Sequence, residues 1–207
     1  MSHRHGDVER FGRWAPNYDH SYLQRLVFEP VHKTVLELAA REVPRPGAIL
    51  DVGCGTGRLL DAAAEQFPGA RLEGVDAADG MIEQAKAAAG GRANFQLATA
   101  ERLPFADGQF DLVFSTMTFH HWADQRRGIA EIGRVLTPSG RWILADLVVS
   151  GWLRYVRRVF RMRQFPERDQ LDAMLASAQL GVLADRRVQQ RISVLAIGTG
   201  APTIATA

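Results

Sequence analysis

The run Ile49-Leu50-Asp51-Val52-Gly53-Cys54-Gly55-Thr56-Gly57-Arg58 concentrates the residues best suited to hold a small charged ligand. Gly53, Gly55 and Gly57 let the chain turn sharply and bare its backbone, because no Cβ stands in the way. A glycine loop that opens a helix presents amide donors to whatever sits in front of it. Asp51, just ahead of the first glycine, adds a carboxylate suited to a cation. A second acid, Asp76, ends Leu72-Glu73-Gly74-Val75-Asp76, at a separation from the loop that suits the two hydroxyls of a ribose. A nucleoside-containing ligand is the first inference.

Two details decide which nucleoside. A dinucleotide fingerprint places its third small residue three positions after the second glycine. That position here is Arg58. Asp51 would repel a pyrophosphate but suits an ammonium. A ligand with an α-ammonium, a carboxylate and a ribose satisfies the set: the carboxylate takes loop amides, the ammonium takes Asp51 or a loop carbonyl, and the ribose takes Asp76. S-adenosylmethionine has those groups, and no metal is called for.

The elements that must position these residues alternate. Strands are expected at 48–52, 71–75, 94–98, 110–115 and 141–147, with helices at about 56–67, 79–89 and 123–136 between them. That alternation implies a doubly wound α/β fold: a parallel sheet with helices on both faces. Ahead of it, Phe11, Trp14, Tyr18, Tyr22 and Leu26 share a helical spacing interrupted near Pro16, and a second helix is expected over about 28–42. Behind it come a basic amphipathic helix, 151–165, a helix of about 167–179, and two adjacent runs, 182–189 and 191–197, that read as an antiparallel pair closing the sheet. The division expected is a single domain over 1–207, with a flexible start (1–13), an N-terminal helical flap (14–46), a cofactor-binding core (47–147), a helical cap (150–180) and a closing strand pair (182–198).

The motifs as a set resemble class I S-adenosylmethionine-dependent methyltransferases. Leu50-Asp51-Val52-Gly53-Cys54-Gly55-Thr56-Gly57 is similar to the family's first motif and Gly74-Val75-Asp76 to its ribose motif. Ala100-Glu101-Arg102-Leu103-Pro104-Phe105 with Phe110-Asp111-Leu112-Val113, and Arg134-Val135-Leu136-Thr137-Pro138-Ser139-Gly140-Arg141, resemble later segments. Trp14-Ala15-Pro16-Asn17-Tyr18-Asp19 looks like the opening of the small-molecule branch that includes ubiquinone and menaquinone C-methyltransferases. The resemblance implies a Rossmann-like, seven-stranded, mostly parallel sheet with its last strand antiparallel. It implies Ala77 and Met81 beside the adenine and ribose, Thr99 and Ala100 at the adenine edge, and Ser115 where the chain passes the transferable methyl. Many relatives carry aspartate where Thr99 stands, so the adenine contact here is neutral and weaker.

Cofactor contacts are therefore expected at Asp51, Gly53, Cys54, Gly55, Gly57, Asp76, Ala77, Met81, Thr99, Ala100, Ser115 and, from the flap, Tyr18. Cys54 is expected as a small packed residue rather than a nucleophile, and Asp111 as a partner of neighbouring backbone. His120 and His121 follow the fourth strand at its carboxyl end, where open α/β sheets bind ligands. Either one fixes the loop or one acts as general base or substrate contact, with His120 preferred.

With 207 residues, 46% hydrophobic and 23% charged, the chain is long enough for a full core and ordinary for a globular protein. Its net charge of +2 implies no global field for nucleic acid, and Ser115-Thr116-Met117-Thr118 stands where a nucleic-acid-modifying relative would carry an Asn/Asp-Pro-Pro-aromatic motif. Residues 150–168 alone carry six arginines against Glu167, a local +5. An amphipathic basic segment suits anionic headgroups, a lid over an acceptor, or plain solvation. The single cysteine allows no internal disulfide, and neither a membrane span nor a signal peptide is read, so a cytoplasmic setting is expected. The function expected is methyl transfer to a small apolar or aromatic acceptor. The alternatives are a cofactor-binding protein without catalysis and a nicotinamide-linked oxidoreductase.

Overall fold

The computed structural model describes residues 22–148, 165–188 and 192–199. Tyr18 with the start of the flap, the basic stretch before Phe165 and the tail 200–207 lie outside the described residues.

In chain order the elements are α1 (Tyr22–Glu42), β1 (Ala48–Val52), α2 (Arg58–Gln66), β2 (Arg71–Asp76), α3 (Asp79–Ala89), β3 (Asn94–Leu97), β4 (Phe110–Thr116), a 3₁₀ turn (Phe119–His121), α4 (Gln125–Val135), β5 (Leu136–Asp146), α5 (Arg168–Ser177), β6 (Leu180–Val188) and β7 (Ile192–Thr199). The strands form one seven-stranded sheet in the order β3-β2-β1-β4-β5-β7-β6. The first five run parallel, while β7 is antiparallel to both β5 and β6. The order reverses between β1 and β4. An open sheet leaves a crevice at the carboxyl ends of the strands at that point.

Both faces of the sheet are covered, which is why the central strands read as nearly unbroken apolar runs. Successive residues of a strand point to opposite faces. Ile49, Phe114 and Ile143 therefore join Val31, Val35, Leu38, Leu60 and Ile82 in one core layer. Leu50, Val113 and Leu144 join Ile129, Ile132, Trp142 and Leu175 in the other.

Two boundaries differ from the expectation. Helix α1, described from Tyr22, already runs ahead of residue 28 and continues through Pro30. A proline removes one amide donor from a helix. Val31, Val35, Leu38 and Ala39, all buried on one face, hold the helix to the sheet in spite of that loss. Strand β5 begins at Leu136, ahead of the turn residues that suggested a later start. Leu136 pairs with Phe110 and Arg141 with Leu112, so Thr137–Gly140 bulge out opposite Asp111. Asp111 takes amides from Gly47 and Ala48 at 2.8 and 3.2 Å and the Thr137 hydroxyl at 3.3 Å, the backbone-bonding role expected of it. Among the described residues no helix is long and apolar enough to cross a membrane.

Candidate active site

The glycine loop leaves β1 at the point where the strand order reverses. Gly53, Gly55 and Gly57 all have positive φ (80°, 54° and 85°), a conformation other residues adopt at a cost. Two of them also lack room for a side chain. A Cβ on Gly53 would lie 2.2 Å from Thr118 Oγ1, and one on Gly57 would lie 2.9 Å from the Phe95 ring. Gly53 thus lets the segment after β4 rest on the loop. Around Gly55 nothing stands within 4 Å of an added Cβ, so the middle of the loop faces open space.

That space is a cavity of about 510 Å³. Asp51, Gly53, Cys54, Gly55, Asp76, Ala77, Met81, Thr99, Ala100 and His121 line it, ten of the fourteen positions expected from the sequence. Three others do not. Gly57 packs behind the loop on Phe95. Ser115 is fully buried, its Oγ accepting from Trp142 Nε1 at 3.2 Å. His120 is held against Asp146, its Nδ1 2.9 and 3.0 Å from the two carboxylate oxygens. Tyr18 lies outside the described residues.

The loop amides differ from the expectation. Gly53 and Cys54 both donate to Val75 O (2.8 and 3.0 Å), and Gly57 donates to Cys54 O (3.0 Å). Gly55 donates to Asp76 Oδ2 at 2.9 Å. These four donors are already used to brace the loop against β2, so they do not wait for a ligand carboxylate.

The two acids of the site sit in contrasting surroundings. Asp76 accepts from Gly55 N on one oxygen and from Ala78 N, at 2.8 Å, on the other. Burial pushes its carboxyl above the usual range, and those amides pull it back. Each oxygen keeps further lone-pair capacity. Asp51 is 2% exposed, and its Oδ1 has no hydrogen-bond partner among the described residues. Burial, aided by the nearby charge of Asp76, pushes its carboxyl up to about 8. Burial likewise pushes the Cys54 thiol well above its ordinary value, which suits a packed residue and not a nucleophile.

Several lining residues were not anticipated. His32 and Phe28 enter from α1. Burial, with Arg58 nearby, lowers His32 to about 4, so its imidazole is neutral at physiological pH. Arg58, a departure from the dinucleotide fingerprint in the sequence, also brings a cation to the cavity wall. Met117 and Trp122 come from the segment after β4, Met117 with a positive φ of 54°. Trp122 stacks on Trp142 at 6.0 Å and packs so closely over α4 that a Cβ on Gly128 would lie 2.4 Å from its ring. The one legible signal was Gly128 itself, a glycine inside an otherwise helical run.

The loop carrying Thr99 and Ala100 is clamped from α4. Arg134 donates to Phe105 O, Leu103 O and Asp107 (2.7–3.2 Å), while Glu131 accepts from Leu103 N and pairs with Arg134. Hydrogen bonding to Arg134 holds the Glu131 carboxyl below its usual range.

The methyltransferase-domain family matches residues 50–144, from β1 to β5. The malonyl-[acyl-carrier protein] O-methyltransferase of Geobacter sulfurreducens is 35% identical over 184 residues, covering 81% of this chain and 67% of the relative. The demethylmenaquinone methyltransferase of Deinococcus radiodurans is 33% identical over 165 residues, covering 76% and 68%. The crystal structure of an S-adenosylmethionine-dependent methyltransferase from Aquifex aeolicus shares the fold, with a TM-score of 0.69, 16% identity and coverage of 92% of this chain and 97% of that one. The chain belongs to the S-adenosylmethionine-dependent methyltransferases, with the mostly parallel seven-stranded sheet of that class, and S-adenosylmethionine is its cofactor.

Proposed function

We propose that the protein transfers a methyl group to a small apolar or aromatic acceptor by in-line displacement, with the cavity at the β1/β4 reversal as the cofactor site. The observation that carries this is Asp51: a buried carboxylate with an unpartnered oxygen, at the wall of a cavity, beside a second acid with acceptor capacity to spare. A buried polar atom without a partner is costly. An α-ammonium is the group that relieves it.

The residues fit the cofactor group by group. Asp76 accepts the ribose hydroxyls while keeping Gly55 and Ala78. Asp51 takes the ammonium. Ala77, Met81, Thr99 and Ala100 border the adenine, with Thr99 as a neutral partner. Since the amides of Gly53, Cys54, Gly55 and Gly57 are spent on the protein, Arg58 reads the cofactor's carboxylate. Gly53, Cys54 and Gly55 supply close backbone approach and space. Bound there, S-adenosylmethionine supplies an electrophilic methyl group on a good leaving group, so the protein's work is mainly alignment, worth roughly 7–11 kcal/mol at best. The whole chain acts as one methyltransferase domain, in a cytoplasmic setting. The two relatives are named for a menaquinone precursor and for malonyl-[acyl-carrier protein], and the first fits the apolar acceptor better. The arginines and aromatics of 151–165 suit a lid or a peripheral contact with an anionic membrane where such an acceptor dissolves.

Calorimetry and labelled methyl transfer test this together. S-adenosylmethionine and S-adenosylhomocysteine are expected to bind and NAD is not, and label is expected to pass to a member of a panel of quinols, phenols and fatty acids. Arg58→Ala is expected to weaken S-adenosylhomocysteine by about tenfold and leave 5′-methylthioadenosine, which lacks the carboxylate, little changed. Binding of NAD in preference to S-adenosylhomocysteine would overturn the proposal.

A further inference from the structure

We propose that Asp146 and His120 form a proton-accepting dyad on the acceptor side of the site, so that the acceptor must lose a proton as it is methylated: a phenol, a quinol or an enolisable carbon acid. This rests on the methyl-transfer reading above and adds to it the class of acceptor and a residue, Asp146, that orients the base.

Asp146 is the last residue of β5 and is fully buried. Its carboxylate accepts the His120 amide at 3.2 Å and the Leu147 amide at 2.7 Å. The His120 amide already ties the 3₁₀ turn to β5, so the imidazole is not needed for that purpose. Yet Nδ1 of His120 sits 2.9 and 3.0 Å from the two oxygens. An ionised carboxylate only accepts, so Nδ1 carries the proton and Nε2 is left as the basic nitrogen. The tautomer is thus assigned from the hydrogen-bond network. Among the described residues Nε2 makes no hydrogen bond.

The position suits the task. The His120 side chain is 10% exposed. On one side its ring meets His121, which lines the cofactor cavity, at 4.0 Å between centroids. On the other it is stacked on Phe165 at 4.5 Å and 27°. His120 therefore lies one ring away from the cofactor cavity, against an aromatic wall that favours a flat, apolar acceptor. Asp146 from β5 and His121 from the same turn are the ionisable groups that the described residues place against it. In the step itself, Nε2 takes the acceptor's proton and the electrons of that O–H or C–H bond stay on the acceptor. The new bond to methyl forms as the methyl–sulfur bond breaks, and its electron pair leaves with sulfur.

Two measurements on the full chain test this. Long-range ¹H–¹⁵N spectra of the imidazoles, with S-adenosylhomocysteine bound at about pH 7, are expected to show His120 as the Nδ1–H tautomer. The Nε2–H tautomer overturns the dyad. Labelled methyl transfer is then compared for substituted phenols and for iodide, a nucleophile with no proton to lose. His120→Asn keeps a donor towards Asp146 and removes Nε2, and Asp146→Asn serves if that variant does not fold. Phenol turnover is expected to fall about 100-fold or more, recovering as pH approaches the phenol's own pKa, with phenol KM and S-adenosylhomocysteine affinity within about threefold and iodide transfer little affected. Equal losses on phenol and iodide overturn it, as does absence of turnover on any phenol, quinol or enolisable carbon acid in protein that binds S-adenosylhomocysteine. Failure to bind S-adenosylhomocysteine sinks the methyl-transfer reading instead.

Discussion

The carboxyl edge of the sheet carries two regions built in different ways. On the β1–β2 side, the glycine loop is braced by its own amides: Gly53 and Cys54 on Val75 O, Gly55 on Asp76, Gly57 on Cys54 O. Its partners lie within a short stretch of chain. On the β4–β5 side, side chains from distant segments meet: His120 with Asp146, Trp122 with Trp142, Phe165 on His120. The first region is a rigid backbone cradle, suited to a cofactor that never changes. The second is a side-chain wall, which can vary in shape while the cradle stays fixed. Under the proposed function the cradle recognises the donor and the wall the acceptor, so either can be altered without the other.

The largest effect should come from breaking the cradle where both regions touch. Gly53→Ala puts a Cβ 2.2 Å from Thr118 Oγ1 at a positive φ. It should cost about 2–4 kcal/mol in stability and abolish measurable S-adenosylhomocysteine binding. Gly55→Ala, with open space around its Cβ, should cost only about 1–2 kcal/mol in stability. Thermal melts of the two variants check the contrast. Equal losses would mean that the Thr118 contact does not tie the wall to the cradle.

A smaller and more specific effect concerns protons. Asp51 is pushed up to about 8, far above its ordinary 3.8. In the ligand-free protein it therefore holds a proton between those values that the unfolded chain has released. Stability should thus fall as pH rises through that window. Ligand binding runs the other way, because an ammonium favours the ionised carboxylate. S-adenosylhomocysteine affinity should rise between pH 6 and 8, by at most about tenfold per unit, with up to one proton released on binding. The buffer dependence of the calorimetric enthalpy measures that proton, and Asp51→Asn should remove the dependence. An affinity that stays flat with pH would remove Asp51 from the ammonium's site.

The two regions also differ in how far the sequence reveals them. The cradle is legible because its chemistry is local: glycine spacing, an acid ahead of it and an acid at the next strand end all stand in two short runs. The alternating strands and helices of 48–147 are legible for the same reason. The wall is not. Asp146 looks like the last residue of an apolar strand, and nothing nearby marks it as the partner of a histidine 26 residues away. Adjacent histidines gave no hint that His121 would line the cavity while His120 turned to Asp146. The amides of the glycine loop illustrate the opposite error. A motif that looks like an array of waiting donors has already been spent on Val75 and Asp76, and only the three-dimensional pairing of β1 with β2 reveals it. The turn chemistry of Thr137–Gly140 points to a strand start at 141, but register with β4 outweighs it and makes that stretch a bulge inside β5.

The measurement that bears most directly on the cradle as a cofactor site is the affinity of S-adenosylhomocysteine for Asp76→Asn. Asparagine preserves the size of the side chain and can still accept from Gly55 or Ala78 through its one carbonyl oxygen, but it loses the second acceptor and the charge. With the fold retained by circular dichroism, calorimetry should show binding weakened by about tenfold or more. Unchanged affinity in a folded variant would contradict the assignment of Asp76 to the ribose, and with it the placement of the cofactor in this cavity.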